Sequence, residues 1–183
     1  MTAHIYAAPS ISAKVQTFLN GIKVLVSEFC QLMPNGAVYT GKFWLSRGGP
    51  QQRVRITYFT GLEQDIFIKA TTLTVIDLKN KKKHAYTLPQ NSIYKILSGK
   101  LDLTKEKVEI IENTGEILRI KLRGAKVFGG VDVILIFSKY SKTGNIKFLE
   151  AWILDDQTLF SFDTTTMTVN DFTKLPPKIF EPS

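Results

Sequence analysis

The sequence predicts a mainly β fold: one large, strongly curved antiparallel sheet or barrel of about ten or eleven short strands, with two helices. Three observations predict it. Phenylalanine occurs 12 times and threonine and isoleucine are frequent, a composition that favours strands. Runs of alternating apolar and polar residues recur along the chain, with turn residues between them at regular spacing. Helical periodicity is confined to two segments. Two helices cannot cover both faces of such a sheet, but they suffice for the mouth or concave side of a half-barrel. The 183 residues, 44% hydrophobic, are enough for one domain that buries about 70% of its unfolded surface.

Taken in order, Ile11, Val15, Phe18, Ile22, Leu25 and Phe29 recur at alternating spacings of four and three. They predict an amphipathic helix over residues 11–28, with Ser10 as N-cap. Gly21 inside it costs about 1 kcal/mol relative to alanine, and lets the helix bend or approach a neighbour closely. Pro34-Asn35-Gly36 turns between strands at 29–33 and 37–47. Gly48-Gly49-Pro50 leads into a strand at 53–59, and Thr60-Gly61 into one at 64–70. Strands at 73–78 and 82–88 flank a lysine-rich turn. Pro89 opens a short helix over 90–98, with Ile93, Ile96 and Leu97 on one face and Gly99 at its end. Strands follow at 108–112, 117–122, 131–140, 146–154 and 158–169. The tail, Leu175 to Ser183, is proline-rich and is expected to lie over the surface.

Residues 1–9 read as a disordered segment or a signal-peptide remnant, and 10–183 as a single domain. Tyr6-Ala7-Ala8-Pro9 resembles the small-residue end of a signal peptide, although no charged or apolar stretch precedes it. A mature secreted chain and a natural cytosolic start both fit. No apolar run approaches the ~20 residues that span a bilayer.

The net charge is +8, and the densest basic run is Lys79 to His84. Between two strands, that run reads as a solvated hairpin turn. A basic balance attracts nucleic acid or anionic lipid head groups. Nucleic-acid readers interleave aromatics with basic residues on one face, whereas the aromatics here sit in apolar strands, so no nucleic-acid partner is expected. The two histidines, His4 and His84, and the single Cys30 form no metal-binding spacing. No serine has a positioned base, Asp155 and Asp156 diverge from a turn, and Gly129-Gly130 lacks a phosphate-cradling pattern. These absences disfavour an enzyme, and no cofactor is expected. Cys30 is expected to be a small buried hydrophobe where helix gives way to strand.

The most informative stretch is 41–59. Side chains alternate with period two, so Phe43, Leu45 and Arg47 share one face. Phe43 and Leu45 read as inward-facing. Arg47 then points inward and needs acceptors, as a latch would, or reaches solvent at the strand end. The same alternation nominates Phe43, Leu45, Ile56, Tyr58, Ile66 and Ile68 as the apolar lining of the concave side, as solid core or as cavity wall. Ile93, Ile96 and Leu97 of the short helix join that set.

From about residue 11 to 169 the chain resembles the periplasmic outer-membrane lipoprotein carrier proteins (LolA), particularly their alphaproteobacterial members. The matching features are Phe29-Cys30-Gln31, then Gly41, Phe43, Trp44, Leu45 and Arg47 on one strand and Arg55, Ile56 and Tyr58 on the next. Leu88-Pro89 with Ile96-Leu97, and Leu149, Trp152 and Asp155, continue the match. The chain departs in placing Gly48-Gly49-Pro50 where proline usually follows the arginine directly. It also has Lys69-Ala70-Thr71-Thr72 for an aspartate-glycine, and Ile56 for tryptophan. The resemblance implies an incomplete (half-open) antiparallel β-barrel with lid helices over an apolar cavity. It implies a periplasmic, monomeric chaperone. Such a chaperone takes acylated lipoproteins from an inner-membrane lipoprotein-releasing ABC transporter and passes them to an outer-membrane lipoprotein acceptor. It assigns Arg47 the role of tying the lid shut when the cavity is empty. The alternative is a peptide- or protein-binding envelope stress-sensing module on the same fold.

Overall fold

A computed structural model describes residues 10–87, 98–125, 131–139, 146–153, 158–163 and 165–182. One helix, α1 (Ile11–Gly21), opens the described chain. Twelve strands follow: β1 (Val24–Leu32), β2 (Val38–Ser46), β3 (Arg53–Thr60), β4 (Gln64–Lys69), β5 (Thr72–Asp77), β6 (Lys82–Thr87), β7 (Lys107–Asn113), β8 (Ile117–Ala125), β9 (Val131–Lys139), β10 (Ile146–Ile153), β11 (Thr158–Phe162) and β12 (Thr168–Val169). They form one antiparallel sheet in the order β6-β5-β4-β3-β2-β1-β11-β10-β9-β8-β7, with β12 also pairing β1. The sheet is not closed, because β6 and β7 lie at opposite margins. The expected half-open antiparallel architecture with a lid helix is the one observed.

The expected helix over 11–28 ends sooner, at Gly21, and its last residues belong to β1. The cause lies in the apolar pattern. Leu25 and Phe29 face the concave side, and Val24 and Val26 face the convex side. A strand buried on both faces carries apolar residues densely enough to mimic helical spacing. Pairing with β2 over its whole length, from Val24↔Ser46 to Leu32↔Val38, then outweighs the local helical preference. Cys30 consequently lies within β1 and is exposed, not buried as expected. The expected final strand divides into β11 and β12, because the Asp163 carboxylate accepts from the backbone N–H and hydroxyl of Thr165 and holds a turn between them. The expected short helix over 90–98 falls almost wholly on residues outside the description.

The outer face of the sheet's centre is covered by the tail. Leu175, Ile179 and Phe180 pack against Val24, Val26 and Trp44. Arg55 points to this side. Its guanidinium pairs with Asp65 at 2.6 Å, stacks 5.6 Å from Trp44 and 5.1 Å from Phe67, and donates to the Ile179 carbonyl. The proline-rich tail is therefore a packed element of the fold. Further along, the outer face of β7–β9 is instead laced with ion pairs: Arg119–Glu112, Lys121–Asp132 and Arg123–Glu109.

Candidate functional site

The site is the concave face under α1. Ser10 caps the helix by accepting from the Ala13 N–H, and Val15, Phe18 and Leu19 then point down onto the sheet. Below them the concave face carries two clusters. One is built from Leu118, Ile120 and Leu122 of β8 and Val133, Leu135 and Phe137 of β9. Val15, Leu101 and Leu103 seal it from above. The other is built from Leu25 and Phe29 of β1, Phe43 and Leu45 of β2, Val54 of β3, Ile68 of β4 and Met167. Ile56, Tyr58, Ile66, Leu73, Phe160 and Phe162 continue this second cluster and are only half-buried.

The structure thus brings all six sequence-predicted lining residues of the sheet to one cluster. Phe43, Leu45 and Ile68 are buried in it, whereas Ile56, Tyr58 and Ile66 are half-buried at its margin. Ile93, Ile96 and Leu97 lie outside the described residues. Aromatic rings run through the cluster in contact: Phe29 stacks on Phe160 at 4.7 Å and meets Tyr58 edge-on at 5.4 Å, and Phe43 meets Phe162 at 5.8 Å. Gly41 makes room for this arrangement, since a Cβ there would fall 2.7 Å from the Phe29 ring and 2.3 Å from the Thr57 carbonyl oxygen. The Tyr58 hydroxyl donates to Gln31 Oε1 at 3.0 Å. Burial raises its pKa, with the neighbouring Tyr39 adding to the rise, so it stays neutral and donates at physiological pH.

Arg47 stands just beyond β2 at the C-terminal end of α1. Its Nη1 donates to the carbonyl oxygens of Leu19 at 2.8 Å and Ile22 at 2.9 Å. These are carbonyls that the last helical turn leaves unpaired and that carry the negative end of the helix dipole. Its backbone N–H also donates to the Lys23 carbonyl, which fixes the strand end against the helix end. Burial lowers its pKa to about 10, which still leaves it charged at neutral pH. Gly99, at φ +71°, closes over the guanidinium, where a Cβ would sit 3.2 Å from Nη1.

Sequence reasoning missed the polar side chains that hold α1 in place. Asn20 reaches the backbone of Leu101 with both ends of its amide: Nδ2 donates to the carbonyl at 2.8 Å, and Oδ1 accepts from the N–H at 3.0 Å. Gln16 Oε1 accepts from the Leu103 N–H at 2.7 Å. Asn170, in the left-handed region at φ +59°, accepts from the N–H groups of Lys23 and Val24 and donates to the Gly21 carbonyl. The only sequence signal was Asn20-Gly21, a common way for a helix to stop.

No protein-family model and no curated protein matches the chain. Solved structures do. The chain is similar to a chain of the complex structure of Pseudomonas aeruginosa MucA/MucB, at TM-score 0.51 and 11% identity, over 87% of this chain and 57% of that one. It is similar to MucB in a separate crystal structure, at TM-score 0.51 and 12% identity, over 88% and 60%. A LolA superfamily protein from Nitrosomonas europaea is matched over 94% of this chain and 99% of that one, at 15% identity and TM-score 0.36. The chain spans less than two thirds of the MucB-containing matches. The class this defines is one of fold, an open antiparallel half-barrel shared with MucB.

Proposed function

We propose that this protein is a periplasmic carrier that shelters the acyl chains of lipoproteins on its concave face beneath α1. It takes them from an inner-membrane ABC transporter and delivers them to an outer-membrane acceptor. One observation carries the reading: an apolar concave face is covered by a helix whose C-terminal carbonyls accept from the inward-facing Arg47. The resemblance of residues 11–169 to the LolA carriers supplies the direction of transport.

The energetics suit a carrier. A lipoprotein bears about three acyl chains, and exposing them costs on the order of 30 kcal/mol at ~0.8 kcal/mol per methylene. Aliphatic and aromatic side chains such as Ile56, Tyr58, Ile66 and Leu73 offset much of that without directional bonds, which permits release. Each Arg47–carbonyl bond contributes about 1.5–3 kcal/mol, small beside the lipid. Cargo entering under α1 therefore displaces the latch, and cargo leaving lets it re-form. No step involves making or breaking a covalent bond, so the protein acts as a carrier and not an enzyme.

The test is a fluorescent fatty acid titrated into the protein, with Arg47→Leu alongside. Wild type should bind the probe. The variant should bind it at least about tenfold more tightly and retain cargo in a reconstituted transfer assay, since two charge-assisted bonds no longer compete. Equal probe affinity and equal transfer would sink the latch, and absence of probe binding would sink the carrier. A second reading is favoured by one specific observation, the structural likeness to MucB in its complex with MucA. On that reading the same face grips a peptide or protein and senses envelope stress. It predicts peptide binding without fatty-acid binding.

A further inference from the structure

The hairpin turns β1–β2, β3–β4 and β5–β6 fall at the same end of the sheet, away from Arg47, as consecutive antiparallel strands require. That end combines exposed apolar side chains with a dense run of lysines. Large apolar side chains stand exposed on it: Leu32 at 38%, Val38 at 52%, Phe59 at 57% and Leu78 at 46%. Leu32 and Val38 face each other across the first hairpin. Beside them the third hairpin projects Lys79, Lys81, Lys82 and Lys83, all exposed, with His84 following. The turn that presents them is built and not frayed. Asp77 accepts from the backbone N–H of Asn80 at 2.9 Å and from its side chain at 2.8 Å, and Lys81 adopts a left-handed φ of +54°. The Leu78 N–H donates to the Glu63 carbonyl, which ties this tip to its neighbour. The hydrogen bonds from Asn80 hold the Asp77 carboxyl below its usual range, and Asp77 with the exposed Glu63 sets two negative charges against four lysines.

From this juxtaposition we infer that the hairpin-tip end is a docking surface for an anionic phospholipid membrane. Apolar tips beside a hairpin that carries four lysines match an interface where side chains dip into the acyl boundary and ammonium groups meet phosphates. The exposed apolar residues are distributed over three tips, and the cavity between the second and third hairpins is lined mainly by polar residues, Glu63, Gln64, Asp77 and Lys79 among them. The cations are all lysine, point charges suited to head-group phosphates and not the planar forks that read carboxylates in pairs. Membrane contact here would leave the Arg47 end of the concave face turned away from the bilayer. The inference is independent of the carrier reading, since a stress sensor on this fold could dock in the same way.

The test is co-sedimentation with vesicles of phosphatidylcholine containing about 30 mol% phosphatidylglycerol, against vesicles of phosphatidylcholine alone. Wild type should bind the anionic vesicles and be released by about 0.5 M sodium chloride, because exposed charges are screened. Combined Lys79→Glu, Lys81→Glu, Lys82→Glu and Lys83→Glu should lower binding by at least about tenfold. Val38→Ser with Phe59→Ser should lower it several-fold while keeping the salt dependence. All these positions are exposed, so circular dichroism should show an unchanged fold. Equal binding to both vesicle types, or full binding by the lysine variant, would overturn the inference. So would failure of wild type to bind vesicles while it retains salt-sensitive binding to a soluble polyanion.

Discussion

The two halves of the concave face lie under the same helix yet are finished differently. On the β8–β9 side, Ile120, Leu122, Val133 and Phe137 are wholly shielded, and Leu101 and Leu103 press down on them from a segment fastened to α1 by Asn20 and Gln16. On the β1–β5 side, Leu25, Phe43 and Leu45 are shielded near the helix, but Ile56, Tyr58, Ile66 and Leu73 are left half-covered. The first half is mostly aliphatic and tightly closed, and the second is richer in aromatic rings and partly exposed. The difference teaches that α1 is clamped along the closed half by Asn20 and Gln16, and held on the half-covered side only at its C-terminal end, by Arg47 and Asn170. A helix fixed equally on both sides would be an ordinary core element.

Perturbing each half should separate stability from binding. The largest effect is expected from Phe137→Ala, which opens a cavity in the closed half and should cost about 3–5 kcal/mol by denaturant unfolding. Fatty-acid affinity, measured where that variant is still folded, should stay near wild type. Asn20→Ala removes two bonds to Leu101 and strands the partners of its amide, for about 1–3 kcal/mol. Because it loosens the anchor, amide hydrogen exchange along α1 should rise while exchange in β2 and β3 does not. Ile66→Ala in the half-covered region should cost only about 1 kcal/mol of stability, yet weaken probe binding by several-fold. Tyr58→Phe is the mildest, at about 0.5–1.5 kcal/mol for its bond to Gln31, and should leave the probe in place. If Ile66→Ala proved as destabilising as Phe137→Ala, the distinction between the halves would collapse.

Much of the sheet was legible because alternation and turn residues report the same strands twice. Pro34-Asn35-Gly36 turns where expected, with Gly36 at φ +79°, and Arg53–Thr60 and Gln64–Lys69 match the expected strands closely. The end of α1 was not legible, because Ile22, Leu25 and Phe29 satisfy helical spacing and a doubly buried strand alike. Arg47 stood out since period two placed it in line with Phe43 and Leu45, and helix-end carbonyls were its natural partners. The amide clamps could not be read in the same way. Asn20 meets Leu101 and Asn170 meets Val24 across long stretches of chain, and a polar side chain carries no periodic mark of a distant backbone partner.

The pairing of β1 with β11 has a consequence for biosynthesis. Phe29 aligns with Phe162, so an early strand waits for nearly the last one before its second edge is satisfied. As the ribosome delivers the chain from its N-terminus, one flank of β1 finds β2 at once. The other remains an open template with its N–H and C=O groups unclaimed. The final seam of the sheet therefore closes only after residues 158–162 have emerged. A nascent chain stalled before residue 158 would present that bare edge to its neighbours, and a holding factor would have most to protect there.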